Sequence, residues 1–190
     1  MDYIDKAFTK VKRAGFVLPE RTSVADYDIP LPIGFGQTIS QPTTVRLMLE
    51  WLEPEPGNKI LDVGSGSGWT TALLADIVGP KGMVYAVELI PELIEFGRDN
   101  CQRLGIKNVR FYEAGTDYGL PRYAPYDRIL VSASGERIPE SLVDQLKIGG
   151  KLVIPIRNHI LEIEKLADGQ VQTDVHPGFV FVPLVDKSKT

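Results

Sequence analysis

An α/β fold built on a doubly wound, mostly parallel sheet is what the sequence predicts, and three observations predict it. From Lys59 onward, short apolar runs alternate with segments of helical spacing, the pattern of parallel strands joined by crossover helices. A glycine-rich turn, "LDVGSGSGW", joins the first apolar run to the first helix. The last third holds two strand-like runs about an Asp168-Gly169 turn signal, which adds an antiparallel edge to the sheet.

Taken in order, "YIDKAFTKVKRAG" and "PTTVRLMLEWL" read as helices flanking the stretch "PLPIGFGQTISQP". Proline fixes φ and glycine admits unusual backbone shapes, so that stretch is a shaped loop, either a connector or a ligand holder. "KILDVG" is the first strand of the sheet, and "WTTALLADIV" follows with Leu73, Leu74, Ile77 and Val78 at helical spacing. "GMVYAVEL" is the next strand, and "PELIEFGRDNCQRLG" a helix with Pro91 near its start and Gly105 past its end. "NVRFYEA", "DRILVSA" and "GGKLVIPI" are three more strands, with a helix "PESLVDQLK" before the last. No repeat or composition break interrupts the chain. The expectation is one domain over residues 1–190, with N-terminal helices and loop in 1–58 and the sheet in 59–190.

Composition removes several function classes. A net charge of -4 with no basic block argues against tracking a nucleic-acid backbone. A single cysteine, Cys101, offers no disulfide framework or Cys-rich metal site, and His159 and His176 lack paired ligands in sequence, so no metal is expected. "MDYIDKAFTKVKRAGF" lacks the apolar core of a signal peptide, and no apolar run approaches membrane-spanning length. A cytoplasmic monomer with no membrane partner is the expectation.

The glycine turn carries the strongest chemical signal. Gly64, Gly66 and Gly68 alternate between a strand and a helix, where small residues let a ligand approach the backbone and the helix start offers N–H donors. The spacing is not the G-x-G-x-x-G that holds a dinucleotide pyrophosphate. Glu88 closes the second strand, roughly 20 residues on, where an acid accepts ribose hydroxyls. Asp62 adds a second carboxylate beside the loop, which opposes a pyrophosphate and favours a cationic ligand. S-adenosylmethionine, with a ribose, a sulfonium and an ammonium, fits better than NAD.

With these residues in place the chain resembles the protein-L-isoaspartate O-methyltransferase family over almost its whole length. "PLPIGFGQTISQP" resembles that family's most characteristic segment, "LDVGSGSGW" its cofactor loop, and "VYAVELIPEL" its ribose-binding strand and following helix. "APYDRILVSASGERIP", "QLKIGGKLVIPI" and "FVFVPLVDKSK" match its fourth, fifth and closing strands. The resemblance implies methyl transfer from S-adenosylmethionine to the free α-carboxylate of isoaspartyl residues in damaged proteins and peptides. It also implies that "GQTIS" is lid and substrate platform, with Ser40 the active-site hydroxyl and Thr38 and Ile39 binding the isopeptide backbone. Asp62, Gly64, Ser65, Gly66, Gly68, Glu88, Gly115 and Thr116 would then hold the cofactor.

Departures from the family pattern set the alternatives. Thr43-Thr44 stands where the family has an aromatic or His and then Met, a change expected to loosen one wall of the substrate pocket. Ala114, Gly115 and Thr116 stand where it has Gly-Asp-Gly, with Asp117 a substitute only if the loop shifts; Val185 replaces a Thr seen in some members. The first change motivates a carboxyl methyltransferase for one specific peptide partner, the second a catalytically silent homologue. Of the remaining residues, Cys101 and Trp51 read as packing and the basic residues of "KAFTKVKR" as a solvated helix face. Trp69 is either packing or a cofactor or lid contact. Ser132 and Ser134 are either near the substrate or helix caps.

Overall fold

The apolar runs after Lys59 hydrogen-bond into one sheet, and everything before them folds over one of its faces. In the computed structural model, which describes residues 2–185, the elements run α1 (Tyr3–Lys10), β1 (Leu31–Gly34), β2 (Gln37–Ile39), α2 (Pro42–Leu52), β3 (Lys59–Val63), α3 (Trp69–Val78), β4 (Met83–Glu88), α4 (Pro91–Arg103), β5 (Val109–Glu113), β6 (Tyr126–Val131), α5 (Glu140–Asp144), β7 (Leu146–Ile156), β8 (His159–Lys165) and β9 (Val171–Pro177). The large sheet has the order β5-β4-β3-β6-β7-β8-β9. β3 to β7 pair in parallel, and β8 and β9 add on antiparallel, as the turn signal at Gly169 predicts. The chain leaves β3 toward β4 on one side and returns to β6 on the other. That reversal opens a crevice at the strands' carboxyl ends, where ligands bind in sheets of this kind. Among the described residues no helix is long and apolar enough to cross a membrane.

Alternation along each central strand feeds two cores. Ile60, Val84, Leu130 and Val153 face one side, with buried residues of α1 to α4; Leu61, Val63, Ile129, Val131, Leu152 and Ile154 face the other, with Leu142 of α5. The helical cover is uneven. Among the described residues the only α-helix on the second face is the five-residue α5, shorter than "PESLVDQLK" suggests because β7 already begins at Leu146. A tyrosine cluster fills the remainder: Tyr85 lies 4.7 Å from Tyr123 and 5.9 Å from Tyr126, ring centre to ring centre.

One sequence expectation is refined and two are corrected. "PLPIGFGQTISQP", read as a shaped loop, contains an antiparallel hairpin, with Leu31 opposite Ile39 and Pro32 opposite Thr38. Its buried Leu31, Ile33 and Ile39 alternate with outward residues, a period of two hidden by the prolines and glycines. Arg13, read as part of a solvated run, is buried beyond the end of α1. Its guanidinium donates to the carbonyls of Ala25 (2.8 Å), Tyr27 (3.3 Å), Ile29 (2.8 Å) and Ile39 (3.3 Å), tying the hairpin's approach and its second strand to one side chain. The segment "FVFVPL" is not a strand: Pro183 makes one isolated bridge to Ser134. The "DKSK" end of that reading lies outside the described residues.

Candidate cofactor and substrate cleft

One cleft, partly open to solvent, sits over the carboxyl ends of β3, β4 and β6. Thr38, Ile39 and Ser40 of the hairpin line it together with Gly64, Ser65, Gly66, Glu88, Gly115 and Thr116. Two candidates stand behind it instead. Gly68 starts α3 with φ 83, and a Cβ there would lie 2.9 Å from the Gly97 carbonyl oxygen, so its place is the close approach of α3 to α4. Asp62 is fully buried on the α3 side of the sheet, where its Oδ2 accepts from the Thr71 hydroxyl at 2.6 Å. Burial raises its carboxyl to about 7, with the nearby Glu88 charge adding to the shift and the Thr71 bond opposing it. Its Oδ1, like the Ser65 Oγ, finds no hydrogen-bond partner among the described residues.

The glycine turn's amides are already committed. Gly64 and Ser65 N–H donate to the Val87 carbonyl (2.8 and 3.2 Å), Gly66 N–H to Glu88 Oε2 (2.8 Å), and Gly68 N–H to the Ser65 carbonyl (2.8 Å). The expectation that this turn presents its N–H groups to a ligand is therefore corrected for these four. A turn so saturated is poor at cradling a pyrophosphate and suits a ligand that brings cations and hydroxyls. Glu88 is 8% exposed and also accepts from Leu89 N–H (2.6 Å) and Ile90 N–H (3.1 Å) on Oε1. A carboxylate has about four acceptor sites, so three are filled and one remains on Oε2.

Other residues settle into place around the cleft. Trp69 is a buried packing residue whose indole N–H donates to the Val11 carbonyl at 3.2 Å, and it also lines the cleft. Ser132 lines the cleft, whereas the Ser134 hydroxyl donates to the Arg157 carbonyl at 3.0 Å. Asp117 lines the cleft beside Gly115 and Thr116. Thr43 and Thr44 do not line it; the Thr43 N–H donates to Asp28 Oδ1 at 2.8 Å at the start of α2. Cys101 is buried, its thiol raised to about 12 by burial and then by Asp62. His176 stacks on Trp51 at 3.8 Å. Sequence reasoning missed the wall made by Val182, Pro183, Leu184 and Val185, held by Ser134 N–H to the Val182 carbonyl (2.7 Å) and Leu184 N–H to the Ser134 carbonyl (2.9 Å). The apolar run "FVFVPL" was visible, but nothing local says that it crosses a cleft.

A profile of the family described as "Protein-L-isoaspartate(D-aspartate) O-methyltransferase (PCMT)" matches residues 1–189. The chain belongs to that family. It is 46% identical over 187 residues to the protein-L-isoaspartate O-methyltransferase of Pyrococcus horikoshii, covering 96% of this chain and 84% of that one. It is 49% identical over 188 residues to the Thermococcus onnurineus enzyme of the same name, with coverages of 96% and 84%. A solved protein-L-isoaspartate O-methyltransferase superposes with a TM-score of 0.88 at 32% identity, covering 97% of this chain and 62% of that one. A Plasmodium falciparum structure, described as a putative member in complex with S-adenosyl-L-homocysteine, superposes with a TM-score of 0.87 at 28% identity, over 98% of this chain and 92% of that one. The family's members are S-adenosylmethionine-dependent methyltransferases, and the mostly parallel sheet with its antiparallel edge is their fold.

Proposed function

We propose that this chain transfers a methyl group from S-adenosylmethionine to the free α-carboxylate of L-isoaspartyl residues in proteins and peptides, the first step in their repair to aspartyl. The observation that carries this reading is the shared cleft: the hairpin with Thr38, Ile39 and Ser40 and the turn with Ser65, Gly66 and Glu88 line one space. The donor set fits the cofactor. Glu88 keeps an acceptor site for a ribose hydroxyl, the unpartnered Ser65 hydroxyl lines the cleft, and the Asp62 Oδ1 without a partner lies behind it. Gly64 and Gly66, both at positive φ, keep the backbone open where side chains would intrude. Bound there, S-adenosylmethionine supplies an electrophilic methyl on a sulfonium, whose C–S electron pair returns to sulfur as the carboxylate oxygen takes the methyl.

The chain's own residues then have a positioning task. A carboxylate with a reference pKa of about 3.5 is ionised at neutral pH, so no side chain has to remove a proton from it. Ser40 orients one carboxylate oxygen through its hydroxyl and leaves the other to attack, while Thr38 and Ile39 hold the adjoining backbone. Alignment of this kind supplies on the order of 7–11 kcal/mol of a barrier. Asp117, beside Gly115 and Thr116, takes the place of the family's acid after the third parallel strand. The reading assigns residues 1–190 to one functional domain.

Purified protein incubated with radiolabelled S-adenosylmethionine and a matched pair of peptides, differing only in isoaspartyl or aspartyl at one position, tests the reading. Base-labile label on the isoaspartyl peptide alone is expected. Label on the aspartyl peptide as well points to a different carboxylate, and cofactor binding without label on either points to a silent homologue.

A further inference from the structure

The hairpin that carries Thr38 and Ser40 ends in a side chain that methyl transfer leaves unused. Phe35 is 57% exposed at its tip and holds a φ of 54, a left-handed conformation that bulky L-residues adopt at a cost. Gly34 and Gly36 on either side have φ of 94 and 70, and a Cβ at either would meet nothing within 4 Å. A glycine or asparagine at position 35 would make the same turn with less strain and no exposed ring. Backbone strain and an exposed aromatic therefore coincide at one residue, and no ring contact or cation contact offsets either of them within the described fold.

The hairpin beneath that ring is firmly held. Ile33 Cδ1 lies 3.1 Å from where a Cβ on Gly66 would be, so the first strand rests on the glycine turn. Arg13 donates to the Ile39 carbonyl at 3.3 Å and fixes the second strand from behind. The cleft lining includes Ile33, skips the tip, and resumes at Gln37, so Phe35 stands just outside the mouth rather than in the cleft. A polypeptide bound by one residue inside must pass its neighbours over that mouth, since extended chain advances only about 3.3 Å per residue. An aromatic ring there offers a large apolar contact while freezing only two torsions.

We infer that Phe35 reads the substrate: it covers an apolar side chain next to the methylated residue, so that isoaspartyl sites flanked by an aliphatic or aromatic residue are favoured. This rests on the methyl-transfer reading above. The left-handed backbone at Phe35 is what aims the ring, and the strain is retained because a relaxed turn would lose that contact.

Steady-state kinetics with two isoaspartyl peptides, identical except for leucine or serine on both sides of the isoaspartyl residue, test it on wild type, Phe35→Ala, Phe35→Gly and Phe35→Tyr. Wild type is expected to favour the leucine-flanked peptide. Phe35→Ala and Phe35→Gly should raise its KM by about ten-fold, the size of one lost large apolar contact. The serine-flanked KM, kcat on both peptides and cofactor affinity by calorimetry should stay within about two-fold of wild type, on the same ground that only that contact is lost. Phe35→Tyr should keep the preference. Phe35→Gly should also melt at or above the wild-type temperature, because its turn is unstrained, whereas a purely structural role would lower the melting point. Equal kcat/KM for the two peptides in the wild type, or an equal loss on both in Phe35→Ala, overturns the inference while leaving methyl transfer intact. No label on either peptide from the wild type overturns the methyl-transfer reading, and this one with it.

Discussion

Asp62 sits at the end of β3 with no exposed surface, one oxygen bonded to Thr71 and the other without a partner among the described residues. Burial favours its neutral form and raises its carboxyl from the ordinary 3.8 to about 7. An acid shifted upward favours the folded state while protonated and opposes it once ionised. Its contribution is therefore intact below pH 3.8 and is lost as pH climbs through about 7. Asp62→Asn keeps an acceptor for Thr71 and removes the charge. Thermal melts across that window should show a falling melting temperature in wild type and a flatter profile in the variant, with the gap on the order of a few kcal/mol at pH 8. Parallel curves would mean that Asp62 is ionised throughout. Ser40 calls for a different measurement, since it lies in the cleft and is proposed to orient a carboxylate already ionised. Losing one hydrogen bond to a charged group costs roughly 1.5–3 kcal/mol, so Ser40→Ala should slow kcat about 10–150-fold. Cofactor affinity and the shape of the pH–rate profile should not change. Loss of the neutral-pH limb would place Ser40 in a proton transfer.

At the scale of elements, the glycine turn works because α3 and α4 meet almost backbone to backbone beneath it. A Cβ on Gly97, in the middle of α4, would lie 3.0 Å from the Phe111 ring and 3.1 Å from the Gly66 carbonyl oxygen. Alanine is the better helix former by about 1 kcal/mol, so propensity alone would make Gly97→Ala stabilising. The contact reverses the sign, because the ring and the turn must both give way. Overpacking of this kind costs about 1–3 kcal/mol, and calorimetric scans should find a lower melting temperature. Isothermal titration should find weaker S-adenosylmethionine binding as well, since the displaced atom belongs to the turn. A raised melting temperature would show that the neighbours yield freely. That contact was not legible in the sequence, where "IEFGRD" is simply a helix with one poor residue. The helices α2 and α3 were legible to the residue, because Pro42 and Gly68 mark their starts and their apolar positions are continuous. The hairpin was not, because alternation over four residues and then three is too short to stand out among three prolines and two glycines. Arg13 was hidden for another reason. Its sequence neighbours are basic and exposed, and only the chain's return through Ala25, Tyr27, Ile29 and Ile39 supplies the carbonyls that justify burying it.

Across the whole molecule, the cleft is closed by chain from opposite ends of the described sequence. The sheet supplies its floor, and that part was readable from the glycine turn and Glu88. One wall is the hairpin at residues 31–39, and another is the segment 182–185, held by its backbone bonds to Ser134 just past β6. No local pattern brings Ser40 near Pro183; the shared cleft exists because the parallel crossovers place the carboxyl ends of β3, β4 and β6 side by side. Upstream of that wall, Phe179 and Phe181 pack on the larger core, with Phe179 edge-on to Trp51 at 5.9 Å. The phenylalanine anchor and the cleft wall are successive parts of one short segment, and Leu184 of the wall also packs on the second core. Ending the chain after Gly178 removes both; Val182→Gly with Leu184→Gly keeps the phenylalanine anchor on the larger core and removes apolar wall, together with the packing of Leu184 on the second core. The sheet's own hydrogen bonds are untouched, so far-ultraviolet circular dichroism should be retained in each. The truncation should melt lower by the burial of two partly covered phenylalanines, on the order of 2–4 kcal/mol. If the wall helps to enclose the cofactor, both variants should lose about ten-fold or more in S-adenosylmethionine affinity, the effect of withdrawing a few apolar contacts from a cleft. Unchanged affinity in the double glycine variant, alongside a lower melting point in the truncation, would leave the segment as a core anchor whose place beside the cleft has no part in binding.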